Sequence, residues 1–148
     1  MLTTVDTLNK ALSTYPILRH PDFNKPFILE TDGSREGFGA MLLQNFDGAR
    51  CVIACASSRL PAIKAMANAD GPVLVAAAAF GIIHFRVYLQ GRAFTLRSDA
   101  SIMQYLRLKK PPKIVERFVI EMQGYGFTVE HVAGRTHHGP DLLSRAGA

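Results

Sequence analysis

Three aspartates stand beside predicted strands or turns, and their carboxylates are of a type that binds metal ions. Asp32 ends the strand-forming run 26–31, Asp99 ends the run 94–98, and Asp141 follows Gly139 and Pro140. Carboxylate oxygens are the ligands that Mg²⁺ prefers in proteins. The three aspartates therefore predict a site for hard divalent cations. Asp is also common where a strand ends in a turn, and Asp141 could equally cap a final helix.

The elements that would position these aspartates follow from the hydrophobic pattern. We expect strands at 26–32, 36–44, 50–56, 93–98 and 127–132, and helices at 4–13, 72–89, 100–107 and 113–123, with a helix or turn from Asp141. Asn45–Gly48 predicts a hairpin turn, and the segment 57–71 predicts a loop. The first three strands should form an antiparallel meander. The fourth and fifth follow helical crossovers and should run parallel to the first.

Length and composition indicate one globular domain. The chain has 148 residues, of which 48% are hydrophobic and 20% charged. The most apolar stretch, Pro72 to Ile83, is shorter than the roughly 20 residues of a membrane span. The N-terminus does not resemble a signal peptide, so we expect an intracellular protein, nuclear or cytoplasmic.

The two cysteines are expected to be free thiols. If Cys51 and Cys55 share a strand, about 13 Å separates them, which is too far for a disulfide. Buried free thiols fit a reducing compartment.

A net charge of +5 permits a polyanionic partner. The densest basic cluster is Arg107, Lys109, Lys110 and Lys113, around the break at Pro111 and Pro112. It is either a solvated connector or a rail of phosphate contacts for a duplex. His131, His137 and His138 similarly suggest a metal site or a proton relay, or else an ordinary surface loop.

At this point the residues resemble a known family, the ribonuclease H domain of gypsy-type LTR retrotransposon polyproteins. Several segments carry the resemblance in the same order: Leu8–Leu12, Pro16–Leu18, Pro21–Phe23, Lys25–Ser34, Glu36–Gln44, Ala56–Leu60, His84–Gly91, Val132–Gly134 and Asp141–Arg145. It implies an α/β, ribonuclease H-like fold with a five-stranded mixed sheet flanked by helices. It also implies that residues 1–24 connect a preceding reverse-transcriptase-like region to a domain at 25–148.

The resemblance also implies chemistry. The family cuts the RNA strand of RNA/DNA hybrids with two Mg²⁺ ions held by four carboxylates. By position, Asp32 would bridge both metals and Asp99 and Asp141 would complete the set, with Mg or Mn required only if the domain is active. Two cations this close repel each other strongly, so anionic oxygens must offset the repulsion.

The chain departs from the family at the fourth carboxylate. Counting back without gaps from Phe85–Leu89 places that glutamate at Leu74, and a shift of one residue gives Val73 or Val75. None of these side chains binds Mg²⁺. Asp70 is the nearest carboxylate, about one turn earlier, where capping the helix is its ordinary role.

We therefore expect a retroelement-derived domain that no longer cuts, as in a degenerate copy captured by a host protein. It would serve as a protein-interaction or nucleic-acid-docking module, alone or within a larger polyprotein, and the basic cluster would contact RNA/DNA hybrid or another nucleic acid. The alternative is an active endonuclease in which Asp70 or water fills the gap left by Leu74.

Overall fold

Five strands form one mixed sheet in the computed structural model, which describes residues 18–34, 37–59, 70–99 and 101–131, without the side chain of Asp70. The strands are β1 (Phe27–Ser34), β2 (Gly37–Phe46), β3 (Ala49–Arg59), β4 (Phe94–Ser98) and β5 (Phe127–His131). Their order across the sheet is β3-β2-β1-β4-β5. β1, β2 and β3 are antiparallel, whereas β4 pairs in parallel with both β1 and β5. The predicted meander and both parallel crossovers are confirmed.

The hairpin between β2 and β3 follows the prediction for its turn. Asp47 and Gly48 have φ values of 52° and 81°. Two consecutive residues with positive φ are typical of a tight two-residue hairpin, and Asp-Gly adopts this conformation readily. The predicted helix at 4–13 and the predicted element from Asp141 lie outside the described residues.

Four described helices connect or flank the strands: α1 (Asp70–His84), α2 (Arg86–Leu89), α3 (Ile102–Leu106) and α4 (Lys113–Met122). The prediction of one helix over 72–89 is wrong, because the helix is interrupted at Phe85, which has φ −101° and ψ 21°. Phe85 is buried in the core, whereas Arg86 and Val87 are exposed. The predicted loop over 57–71 is also too long, since β3 extends to Arg59 and α1 begins at Asp70.

The core lies between the sheet and α1, with α4 packed against α1. The segment from Val73 to Ala79 is buried throughout, which explains why this helix is apolar on nearly all sides. Small residues allow the close approach. A Cβ atom at Gly81 would lie 2.8 Å from Thr31 Cγ2 and 3.2 Å from Ala40 Cβ. A second cluster, built around Met41, Leu43 and Val52, lies on the opposite face of β2 and β3.

Both cysteines are free, as predicted. Cys51 is buried, and burial raises the pKa of the partly buried Cys55 thiol. The Cys55 thiol is therefore a poor nucleophile at neutral pH.

The side chain of Gln44 binds the segment that precedes β1 and holds it against the sheet. This side chain is fully buried, accepts a hydrogen bond from Asp22 N (2.9 Å) and donates to Asp22 O (2.8 Å) and Lys25 O (3.0 Å). The Arg19 backbone N–H also donates to Val52 O on β3. These bonds join residues on both sides of the boundary predicted between 24 and 25, and that boundary stays a prediction.

Gln44→Ala is expected to lower the free energy of unfolding by about 2–3 kcal/mol, because three partly buried backbone groups lose their partner. Urea unfolding followed by circular dichroism measures the change. Asn45→Ala is the matched control, since the neighbouring Asn45 side chain is exposed. Equal stabilities of the two variants would show that the incoming segment is not held by Gln44.

Candidate functional site

The ends of β1 and β4 bring Asp32 and Asp99 to the same place in the sheet. The parallel register of β1 and β4 ends with Glu30 opposite Arg97. Continued by two residues, past the end of β4 at Ser98, this register puts Asp32 level with Asp99. Neighbouring strands lie about 4.8 Å apart. The two residues also share a face of the sheet, because each lies two positions beyond a member of the Glu30–Arg97 pair.

Each of these carboxylates already accepts a local backbone hydrogen bond. Asp32 is half-buried, and its Oδ1 accepts from Gly33 N at 3.0 Å. Asp99 is exposed, and its Oδ1 accepts from Ser101 N at 2.9 Å. Asp99 O also accepts from Ile102 N at 3.2 Å, so Asp99 starts the turn that leads into α3. These local hydrogen bonds orient both carboxylates at the ends of their strands. Asp141 lies outside the described residues.

Leu74 lies in the second turn of α1, close to the end of β1. A Cβ atom at Gly33, the residue after Asp32, would lie 2.7 Å from Val73 Cγ1 and 2.8 Å from Val73 O. α1 can approach β1 so closely because position 33 carries no side chain. Leu74 itself is only 9% exposed. An apolar side chain is therefore packed on the turn of α1 that lies beside the end of β1.

Tyr105 of α3 covers the start of the same helix. A Cβ atom at Gly71 would lie 2.3 Å from Tyr105 Cε2 and from its hydroxyl oxygen. α1 therefore begins between the end of β1 and the ring of Tyr105. Asp70 is the first residue of α1, one turn before Leu74.

The described residues do not fit a two-cation centre. Within the described ranges, no three His, Cys, Asp or Glu side chains form a group that could hold a metal ion. Two carboxylates stand at the strand ends, and Leu74, on the turn of α1 that lies beside Gly33, carries a hydrocarbon side chain that binds no cation.

One charged cluster near the site was not anticipated from the sequence. Glu30 is 1% exposed, and its Oε1 accepts hydrogen bonds from Arg97 Nη1 and, at 3.2 Å, from Arg50 Nη1. Arg97 Nε also lies 3.4 Å from Glu130 Oε1. Glu30 lies on the same face as Asp32 but is engaged by two arginines, so it is no substitute for the missing carboxylate. A glutamate inside an apolar strand, two residues before Asp32, was the available signal.

The basic cluster lies on the surface just beyond α3. Arg107, Lys109, Lys110 and Lys113 are all exposed. The five-residue helix α3 is about 8 Å long and separates this cluster from the turn at Asp99. Four exposed cations of this kind can bind the phosphates of a polyanion.

The remaining predicted residues divide between described and undescribed parts of the chain. His131 is exposed at the end of β5, whereas His137 and His138 lie outside the described residues. Within the described ranges, no helix has both the length and the apolar character needed to cross a membrane.

The chain is similar in sequence to domains of reverse transcriptase and of retrotransposon Pol polyproteins. A family model described as an RNase H-like domain found in reverse transcriptase matches residues 2–96. The Pol polyproteins of transposons 412 and 297 of Drosophila melanogaster are 35% and 34% identical to this chain over 139 and 131 residues. These matches cover 93% and 88% of the chain but only 11% and 12% of the relatives.

Solved structures of similar fold include a foamy viral protease-reverse transcriptase in complex with double-stranded DNA. Its TM-score is 0.63 at 16% identity, over 84% of this chain and 27% of that one. An N-terminal RNase H domain from Mycobacterium tuberculosis gives a TM-score of 0.57 at 17% identity, over 80% and 90% of the two chains. At these identities the likeness concerns the fold.

Proposed function

The chain belongs to the family of RNase H-like domains found in reverse transcriptase, and on that premise we propose that it binds nucleic acid without cutting it. The fold is that of a retrotransposon Pol domain, with the strand order β3-β2-β1-β4-β5. The retrotransposon relatives are about nine times longer than the matched segment, so the proposal concerns this domain alone.

The proposed lack of activity depends on the presence of Leu74 at the position of the fourth ligand. Cation-assisted cleavage needs anionic oxygens around both ions, and ligands of one centre act as a unit. Leu74 is buried, and the helix turn that holds it packs beside the residue that follows Asp32. Asp32, Asp99 and Asp141 would be three of the family's four ligands, and position 74 supplies no fourth.

Docking is proposed to use the basic cluster. Arg107, Lys109, Lys110 and Lys113 are exposed on the connection from α3 to α4. Cations in this arrangement bind phosphates by releasing counterions, which requires no catalytic centre. The foamy viral protease-reverse transcriptase, whose fold is similar, has been solved in complex with an RNA/DNA hybrid. A hybrid is therefore the first ligand to test.

An active endonuclease is the second candidate. α1 begins at Asp70, one turn before Leu74, so the same helix carries an aspartate in its sequence close to position 74. If the domain is an active endonuclease, Asp70 or a water molecule would complete the metal ligands together with Asp32, Asp99 and Asp141, and Mg or Mn would be the cation.

The unaltered domain is expected to leave an RNA/DNA hybrid uncut in Mg²⁺ or Mn²⁺. The assay follows an end-labelled RNA strand annealed to DNA, beside Asp32→Asn as the matched control. Cleavage by the unaltered domain that the control abolishes would overturn the proposed inactivity and favour the second candidate. Equal, negligible cleavage by both proteins supports the proposal.

Binding to the same hybrid is expected to weaken steeply with salt. Four phosphate contacts give a slope of log K against log salt of about −3 to −4. Lys109→Ala with Lys110→Ala should reduce the slope by about 2, whereas Arg86→Ala with Arg117→Ala should not change it. Fluorescence anisotropy at several KCl concentrations measures this. No binding at low salt, or equal slopes for the two double variants, would remove the cluster from the binding surface.

A further inference from the structure

The outer edge of β5 offers backbone hydrogen-bonding groups beside an apolar cavity. β5 is the last strand of the sheet, and no described strand lies beyond it. Phe94 N donates to Gly126 O at 3.1 Å. In a parallel ladder alternate residues bond to the same neighbour, so Gly126, Thr128 and Glu130 face β4. The N–H and C=O groups of Phe127 and Val129 then point to the outer edge.

The side chains of the same two residues point toward the helices. Phe127 lies 5.6 Å from Phe94 between ring centroids, and Phe127 and Val129 both pack against the main core. Next to them is a cavity of about 410 Å³, open to solvent. Its walls include Met103 and Leu106 of α3, Met122 of α4, and Tyr125.

The charge at this cavity has one sign. Arg107 is the only charged residue among the described residues that line it. Lys109 and Lys110 follow Arg107 along the chain and are exposed. Glu130 points to the other face of the sheet, where it meets Arg97. An occupant of the cavity would therefore meet positive charge at its rim.

We propose that the β5 edge binds an extended acidic peptide segment of a protein partner. The segment adds a strand beside β5 and pairs with the backbone of Phe127 and Val129. Its alternate apolar side chains enter the cavity below, and a carboxylate at its end meets Arg107. Strand addition of this kind takes affinity from main-chain bonds and selectivity from the pockets for alternate side chains.

The probe is a capped seven-residue peptide in which three valines alternate with two threonines between terminal aspartates. Its counterpart carries lysine at both ends. The aspartate peptide is expected to bind the full chain with a Kd of about 100 μM, and the lysine peptide at least about tenfold more weakly. Arg107→Glu should weaken binding of the aspartate peptide about tenfold, while Arg86→Glu, an exposed arginine on α2, should not.

Amide hydrogen exchange locates the bound peptide. Exchange at Phe127 and Val129 should slow in its presence, while Thr128 and Glu130, already bonded to β4, should change little. Absence of binding, equal binding of the two peptides, or protection elsewhere would overturn the proposal. Protection of the same two amides by a DNA oligonucleotide, and not by the peptide, would assign this edge to nucleic acid and also overturn it.

Discussion

Leu74→Glu is expected to raise hybrid cleavage by at least about 100-fold over the unaltered domain, since one missing ligand disables the whole set. The new carboxylate would stand on the turn of α1 that lies beside the end of β1. The measurement is the initial rate of RNA cleavage in Mg²⁺. Adding Asp32→Asn to Leu74→Glu should return the rate to that of the unaltered domain.

The same substitution is expected to make stability depend on Mg²⁺. A glutamate at a position that is 9% exposed should lower the free energy of unfolding by about 1–3 kcal/mol without a cation. Millimolar Mg²⁺ should recover part of this loss, because a ligand that binds only the folded state stabilises it. Urea unfolding in Mg²⁺ and in EDTA measures the stability of this variant with and without the cation.

Leu74→Gln is the matched control for Leu74→Glu. Glutamine has a similar size and polarity but supplies no negative charge, so it should destabilise the fold without gaining cleavage or a response to Mg²⁺. If Leu74→Glu folds yet shows neither gain, more than one ligand has been lost and the description of a single missing carboxylate is wrong.

The sheet was predictable from the sequence because its signals are local. Alternating apolar residues and the Asp47-Gly48 turn placed the strands within a few residues, and the helical crossovers determined which strands run parallel. The same runs predicted that Asp32 and Asp99 would stand at strand ends, and the structure places Asp32 in β1 and Asp99 directly after β4. These signals depend on neighbours in the chain, which a sequence displays directly.

What sequence could not show depends on tertiary contacts. The interruption of the long helix at Phe85 is a local change of the backbone that the apolar pattern does not reveal. Gln44 reads as an ordinary polar residue until its bonds to Asp22 and Lys25 are seen. Glu30 likewise looks like a surface residue, and only the strand pairing shows that Arg50 and Arg97 surround it.

Arg97→Met is expected to lower the free energy of unfolding by about 3 kcal/mol. Glu30 is 1% exposed, and Arg97 supplies one of its two cationic partners, Arg50 being the other. Removing one partner of a buried pair leaves a charge that is desolvated without full compensation. Urea unfolding measures the loss. Arg117→Met is the matched control, because the Arg117–Glu121 pair is largely exposed and should contribute less than about 0.5 kcal/mol.

The double variant Glu30→Met with Arg97→Met separates charge burial from packing. Apolar residues of similar volume can replace a buried ion pair with little cost, so the double variant should be more stable than Arg97→Met alone. If the stability loss of the double variant equals the sum of the losses of the two single variants, the two residues do not compensate each other.

The charge pair also has a consequence for the candidate site. Glu30 and Arg97 face each other in the register of β1 and β4, and Asp32 and Asp99 follow each of them by two residues. A pair that holds this register therefore holds the two aspartates level. In the Leu74→Glu background, Arg97→Met should reduce cleavage at temperatures where the domain remains folded, and Arg117→Met should leave it unchanged. Equal rates would mean that backbone pairing alone sets the positions of Asp32 and Asp99, and that the buried charges contribute only to stability.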